Sequence, residues 1–284
     1  MKMTPNVLWA ITPGGFAAFV AEMNGSRFAL KAYATLKPTT LGKSQSKVTV
    51  IPVKGVLTND CSWCGTTYGS IADAAERAAA DPTVKRIVLA VDSPGGEVVG
   101  LPETASALQQ AARQKPVHAM VEGIAASAGY WLASQASDIT VTPSGEVGSV
   151  GVRMMHTDMS AALEDAGIKV TELFSGNYKT EWSPFKPLTD DAVGAMQTRL
   201  DAVHGNFIRA VGQGRGRRAS THITKTRFGE GRMFDALDAV GHGLADSVQS
   251  AHDFYRALAQ AKEGVDTSSV KRLRARLEAE RLRF

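Results

Sequence analysis

A chain of 284 residues, 44% hydrophobic and 21% charged, can fill one large domain or two small ones and has the make-up of a globular protein. Its formal charge of +4 sits at one end: residues 271–284 hold six Lys/Arg against two Glu, so the rest of the chain sums to about zero. The main body is therefore not a basic nucleic-acid binder, and with only Cys61 and Cys64 the chain is not a disulfide scaffold.

Residues 1–46 form an N-terminal arm and linker. Val7 to Met23 is apolar, but Pro13, Gly14 and Gly15 interrupt it and it falls short of the ~20 apolar residues that span a bilayer. It also lacks a basic leader, so no targeting segment and no membrane association are expected. Asn24-Gly25 is a turn signal, and Lys37 to Ser46 reads as a linker. Cys61-Ser-Trp-Cys64 is two thiols, too few to complete a tetrahedral zinc site.

The body, residues 47–263, alternates. Val48–Leu57 reads as a strand, Ile71–Ala80 as an Ala-rich helix stopped at Asp81-Pro82, and Val84–Val91 as a buried strand. Pro102–Arg113 reads as a helix and Val117–Val121 as a strand broken at Gly123. This β-α-β-α-β rhythm predicts an α/β fold with a mostly parallel sheet and right-handed crossover helices. Ala128–Ala136 should be a helix, Asp138–Thr142 a strand and Gly145–Gly151 a glycine-spaced loop without phosphate-binding order. Ala161–Ala166 is expected as a short helix and Val170–Phe174 as another strand. Asp190–Gly212 carries Val193, Met196, Leu200, Val203, Phe207 and Val211 at helical spacing, as core or subunit interface. Gly212–Arg218, basic and glycine-rich, reads as a mobile surface loop. Residues 264–284 form a basic C-terminal helix, with Val270, Leu273, Leu277 and Phe284 at helical spacing. That tail is either an exposed frayed helix or a docking element.

Three places carry chemistry. Ala125-x-Ser127-x-Gly129 is one residue away from the G-x-S-x-G elbow, in which a serine at a strand-to-helix turn projects its hydroxyl. The bland alternative is a tightly packed helix start. Upstream, Asp92-Ser93-Pro94-Gly95-Gly96 follows a strand, and paired glycines leave backbone N–H groups reachable by a ligand. Downstream, Lys179 lies in a turn-rich loop beside Tyr178, Trp182 and Phe185. The six histidines, at 118, 156, 204, 222, 242 and 252, match no Ser/His order, and His118 reads as a satisfied core or strand-end residue. No metal-ligand motif occurs, and the chemistry needs no cofactor.

With Gly148-Ser149-Val150-Gly151-Val152, Ser175-Gly176-Asn177-Tyr178-Lys179 and a late Gly243-Leu244-Ala245-Asp246, these pieces resemble the signal peptide peptidase A (S49) family of serine peptidases. They are most similar to its phage head-maturation, or capsid assembly, proteases. The opening Trp9-Ala10-Ile11-Thr12-Pro13 is similar to starts seen among the phage members. The resemblance covers about Val48 to Val248 and implies a Clp-protease/crotonase-like fold. It implies a serine endopeptidase that processes scaffold and capsid proteins in the host cytoplasm, inside the prohead. The family's rings or domes imply a homo-oligomer whose serine and lysine can come from adjacent subunits.

In that reading Ser127 is the nucleophile and Lys179 the general base, which must be uncharged and hence desolvated to take a proton. Tyr178, Trp182 and Phe185 could supply the dry wall. The N–H groups of Gly96, or less favourably Gly95, and of Ala128 would receive the oxyanion. By resemblance the Ser149 hydroxyl would steady the lysine amine. Lys186, followed by Pro187, is the rival base. By the same resemblance the tail would be scaffold sequence touching capsid protein or DNA. Other readings are a cellular peptide-degrading peptidase of the family, an acyl-CoA enzyme on the same fold, and a catalytically idle assembly protein.

Overall fold

The structure, a computed structural model, describes residues 9–12, 38–41, 47–60 and 66–260. Cys61, Cys64, the Asn24-Gly25 turn and the basic tail lie outside them. β1 (Trp9–Ile11), β2 (Thr39–Leu41), β3 (Lys47–Leu57), β4 (Val84–Glu97), β5 (Val117–Ala126), β6 (Asp138–Val141), β7 (Glu146–Gly148), β8 (Met233–Asp235) and β9 (Ser247–Val248) join in one sheet. Its main path runs β2-β3-β4-β5-β6-β9, and each neighbouring pair from β3 to β9 is parallel. β5 pairs with β6 over its first half and with β7 over its second, both parallel. β1, β2 and β8 are antiparallel additions. Among the described residues this is the α/β class expected. β2 falls inside the segment read as a plain linker, where it pairs with Thr49 and its neighbours.

Parallel neighbours need crossovers. The helix Tyr68–Ala80 joins β3 to β4 and the helix Leu101–Gln114 joins β4 to β5. In the first, the Thr67 side chain accepts from the Ser70 N–H, and Ile71, Ala74, Ala75 and Ala78 make one buried face. In the second, Pro102 sits in the first turn, where no intrahelical donor is lost. Strand alternation sorts the two sheet faces: Ile87, Leu89 and Val91 enter the main core, while Val88 joins Met120 and Phe254 on the other side. Among the described residues, no helix is long and apolar enough to cross a membrane.

The structure departs from the sequence expectations in several further places. β5 runs through Gly123 to Ala126. The Asp92 carboxylate accepts the Ile124 N–H at 3.2 Å, and a Cβ on Gly123 would lie 2.7 Å from it, so the glycine serves close approach, not a break. Val170–Phe174 forms no strand and is largely exposed, with Leu173 94% accessible. The helix expected to end at Gly212 continues to Arg215. There a Cβ on Gly214 would stand 2.0 Å from the Ser134 carbonyl oxygen, so this glycine lets two helices touch backbone to backbone. Arg215, expected in a mobile loop, is 1% exposed. It donates to both oxygens of Asp246 at 3.0 Å and to the Gly243 carbonyl at 2.9 Å. The apolar stripe of that helix divides: Phe207 and Val211 are core, with Phe207 stacked on Trp131 at 4.6 Å, while Val193 is 50% exposed.

Candidate active site

Ser127 stands between the end of β5 and the helix Ala128–Ala133, at φ 52 and ψ −119. A non-glycine residue at positive φ is strained by roughly 1–3 kcal/mol and persists only where the surroundings over-determine it. They do so here. The Ser127 N–H donates to the Gly148 carbonyl at 2.9 Å, its carbonyl accepts the Trp131 N–H at 2.9 Å, and its hydroxyl donates to the Gly151 carbonyl at 3.3 Å. The sharp turn needs small neighbours: a Cβ on Gly129 would come within 3.1 Å of the Ser93 Cβ and carbonyl oxygen.

The Gly-Gly segment lies alongside. Gly95 and Gly96 prolong β4 past Pro94, paired with Val56 and Leu57 of β3. Gly95 has φ 111, and a Cβ on Gly96 would lie 1.9 Å from the Leu57 carbonyl oxygen, so each position requires glycine. Ser93, buried, shapes the bend. Its hydroxyl donates to the Gly55 carbonyl at 2.7 Å and accepts the Gly95 N–H at 3.2 Å. The Gly95 amide is thus already bonded by Ser93, which leaves the Gly96 amide, on the edge of β4 that β1 pairs with, as the glycine donor a ligand could take over from β1. Ala128 opens a helix, so its N–H has no acceptor within that helix.

On the other flank, Gly148 and Ser149 both have positive φ, 132 and 53. The Ser149 N–H donates to the Arg232 carbonyl at 2.7 Å and the residue is 8% exposed. His204 Nε2 meets the Val150 carbonyl at 3.1 Å and helps to hold this loop. Ser127, Ala128, Gly95, Gly96 and the Ser149 loop are therefore gathered at one end of the parallel strands, where α/β sheets place their sites.

Lys179 comes from a later segment and lies on an exposed turn, its N–H on the Gly176 carbonyl at 3.0 Å. Tyr178 is 77% exposed, Phe185 40%, and Trp182 half-buried, so one chain alone does not enclose the amine in an apolar wall. Lys186 is engaged: its amine donates to the Thr180 hydroxyl at 2.9 Å and lies 5.8 Å from the centre of the Phe174 ring. The Ser127 hydroxyl meets a carbonyl, not a histidine. His118 packs in β5 with Nδ1 2.6 Å from Asp138, but its Nε2 has no partner among the described residues, so it is only half satisfied.

Two sets of residues carry no sequence signal of their own. Ser93 sits inside a motif whose signal is its glycines. The Arg215–Asp246 pair joins two motifs far apart in the chain. Asp246 also accepts the Ile139 N–H at 2.8 Å, and the Tyr130 hydroxyl donates to the Leu244 carbonyl at 2.9 Å, its pKa pushed up by burial. The late Gly-Leu-Ala-Asp stretch therefore braces the helix that begins at Ala128.

The chain has relatives among known proteins. The capsid assembly protease C of Escherichia phage lambda is 33% identical over 211 residues, 72% of this chain and 47% of that protein. The head-tail preconnector protein GP5 of Enterobacteria phage P21 is 31% identical over 230 residues, 79% and 45% of the two chains. Protease 4 of Salmonella typhi is 34% identical over 185 residues, 64% and 29%. The chain thus spans about half the length of the two phage proteins. The model of peptidase family S49 matches residues 109–265, a stretch that holds Ser127, Ser149 and Lys179 and more than half of the chain, and the chain belongs to that family.

Proposed function

We propose that the chain is a serine endopeptidase with a Ser127–Lys179 dyad that processes scaffold and capsid proteins during phage head maturation. The observation that carries the chemistry is the strained Ser127 beside the Gly96 and Ala128 amides. Neutral Lys179 takes the hydroxyl proton as the Ser127 oxygen attacks the substrate carbonyl carbon. The carbonyl electron pair moves onto oxygen and is received by the two amides. Collapse breaks the C–N bond, the lysine ammonium returns its proton to the leaving amine, and water hydrolyses the acyl-enzyme with the same amine as base. Ser149 steadies that amine. The substrate class is supported by the likeness to a capsid assembly protease.

In the single chain Lys179 is exposed, and in the segment that carries it Met155, Ile168, Leu173, Phe174 and Tyr178 face solvent. Large apolar side chains exposed in such number within one segment favour an interface. A homo-oligomer in which this segment of one subunit covers the serine of another would supply the desolvation that a basic lysine needs. Mixing Ser127→Ala chains with Lys179→Ala chains should then restore casein hydrolysis that neither shows alone. No restoration at any ratio would place both groups of the dyad within one chain.

Gly96→Ala should lower kcat by about 10²- to 10³-fold, the size of effect seen when an oxyanion donor is lost, because its N–H is displaced though not removed. The added methyl must push the strand away from the Leu57 carbonyl. Thermal melting serves as the control for folding, and a folded variant of near-normal rate would remove Gly96 from the site. A fluorophosphonate probe separates enzyme from idle assembly protein, since only the enzyme labels at Ser127.

A further inference from the structure

We infer that residues 9–12 occupy the place of a bound peptide, so that the N-terminal arm is an internal competitor for the site. The consequence for activity rests on the peptidase reading; the geometry does not. β1 lies antiparallel on β4, with Trp9 opposite Glu97, Ala10 opposite Gly96 and Ile11 opposite Gly95. The Thr12 N–H donates to the Pro94 carbonyl at 2.9 Å. Antiparallel pairs alternate between hydrogen-bonded and non-bonded. Thr12–Pro94 being bonded, Ile11–Gly95 is a non-bonded pair and Ala10–Gly96 the next bonded one. The Gly96 amide assigned to the oxyanion therefore faces the Ala10 carbonyl: a peptide carbonyl of the chain itself already stands there.

The position along the sheet agrees. On its β5 side, β4 places Ser93 opposite Ala125. Two residues on, Gly95 is level with Ser127, where β5 has turned away into the helix Ala128–Ala133. β1 fills the place beside β4 that β5 vacates. The opposite edge of the same glycines is taken by Val56 and Leu57. With both edges paired, an incoming extended backbone can add to this stretch only if the arm leaves. Ile11 is 3% exposed and Ser127 1%, as expected of a closed site. The ligand class is an extended peptide recognised through its main chain; among the described residues β1 is held on β4 by three residue pairs and the Thr12–Pro94 hydrogen bond.

The test is made in the Ser127→Ala background, where no cleavage intervenes, with a fluorescein-labelled synthetic peptide of residues 5–16 as the probe. Three proteins are compared: the full chain, a chain lacking residues 1–12, and the full chain carrying Ala10→Pro and Thr12→Pro, which removes two ladder donors without truncation. Both arm-disabled proteins should bind the peptide on the order of tenfold or more tightly than the parent, because the competent fraction is no longer depleted. Equal affinity in all three, or no binding by any, overturns the proposal. With Ser127 intact, both arm-disabled proteins should show a lower KM for a peptide substrate at similar kcat. If the intact chain fails to label with fluorophosphonate, the peptidase reading falls, while the binding comparison still decides the arm.

Discussion

Ser127→Ala should abolish peptide hydrolysis, with a fall in kcat approaching a million-fold, the loss seen when a serine peptidase is deprived of its nucleophile. Fluorophosphonate labelling should vanish with it. The backbone makes a second outcome readable. Ser127 holds φ 52, and alanine keeps the Cβ that makes this conformation unfavourable. Ser127→Gly removes it. It should be as inactive as the alanine variant yet at least as stable, by up to ~1 kcal/mol in urea unfolding. Ser149→Ala, acting through the lysine, should lower the rate far less. A Ser127→Ala protein that still hydrolyses casein at an appreciable fraction of the parent rate would exclude Ser127 as nucleophile.

Asp246→Ala should cost about 3–5 kcal/mol of folding stability, a large share of the 5–15 kcal/mol that domains possess. The Arg215 side chain is 0% exposed and gives Asp246 two hydrogen bonds of 3.0 Å. Without the carboxylate, a buried guanidinium keeps only the Gly243 carbonyl and the neighbouring Arg218 cation, whose pKa burial and Arg215 already lower. The Ile139 N–H also loses its acceptor. Replacing both members, as Arg215→Met with Asp246→Leu, should be far milder, because desolvation of the charges is removed along with their attraction. A urea midpoint for Asp246→Ala within experimental error of the parent would show that the pair does not hold these segments together.

The layout of the sheet was legible because Val84–Val91 and Val117–Val121 are apolar runs punctuated by Pro and Gly, and the intervening helices end on recognisable signals at Asp81-Pro82 and Lys115-Pro116. What stayed hidden depended on partners remote in sequence. Pro94-Gly95-Gly96 reads locally as the end of a strand, yet β4 continues through it because β3 and β1 flank it. Gly214 reads as a breaker until the Ser134 carbonyl is placed against it. Val170–Phe174 has the β-branched and apolar residues of a strand, but composition carries no information about whether an edge is available to pair with. The positive-φ turn at Ser127 and the close approach at the glycines could be read because such places restrict residue type. The surroundings of Lys179 could not, since they depend on what covers an exposed loop.

The bracing of β6 by β9 has a consequence for biosynthesis. Thr140 and Ser247, side by side in the sheet, are separated by 107 positions in the chain. At roughly 5–20 residues per second, a ribosome needs on the order of 5–20 s to travel from one to the other. Throughout that interval the nascent polypeptide carries Ser127 without a finished scaffold. On the proposed peptidase reading, hydrolytic competence should therefore arrive late in translation, after Val248 has cleared the exit tunnel.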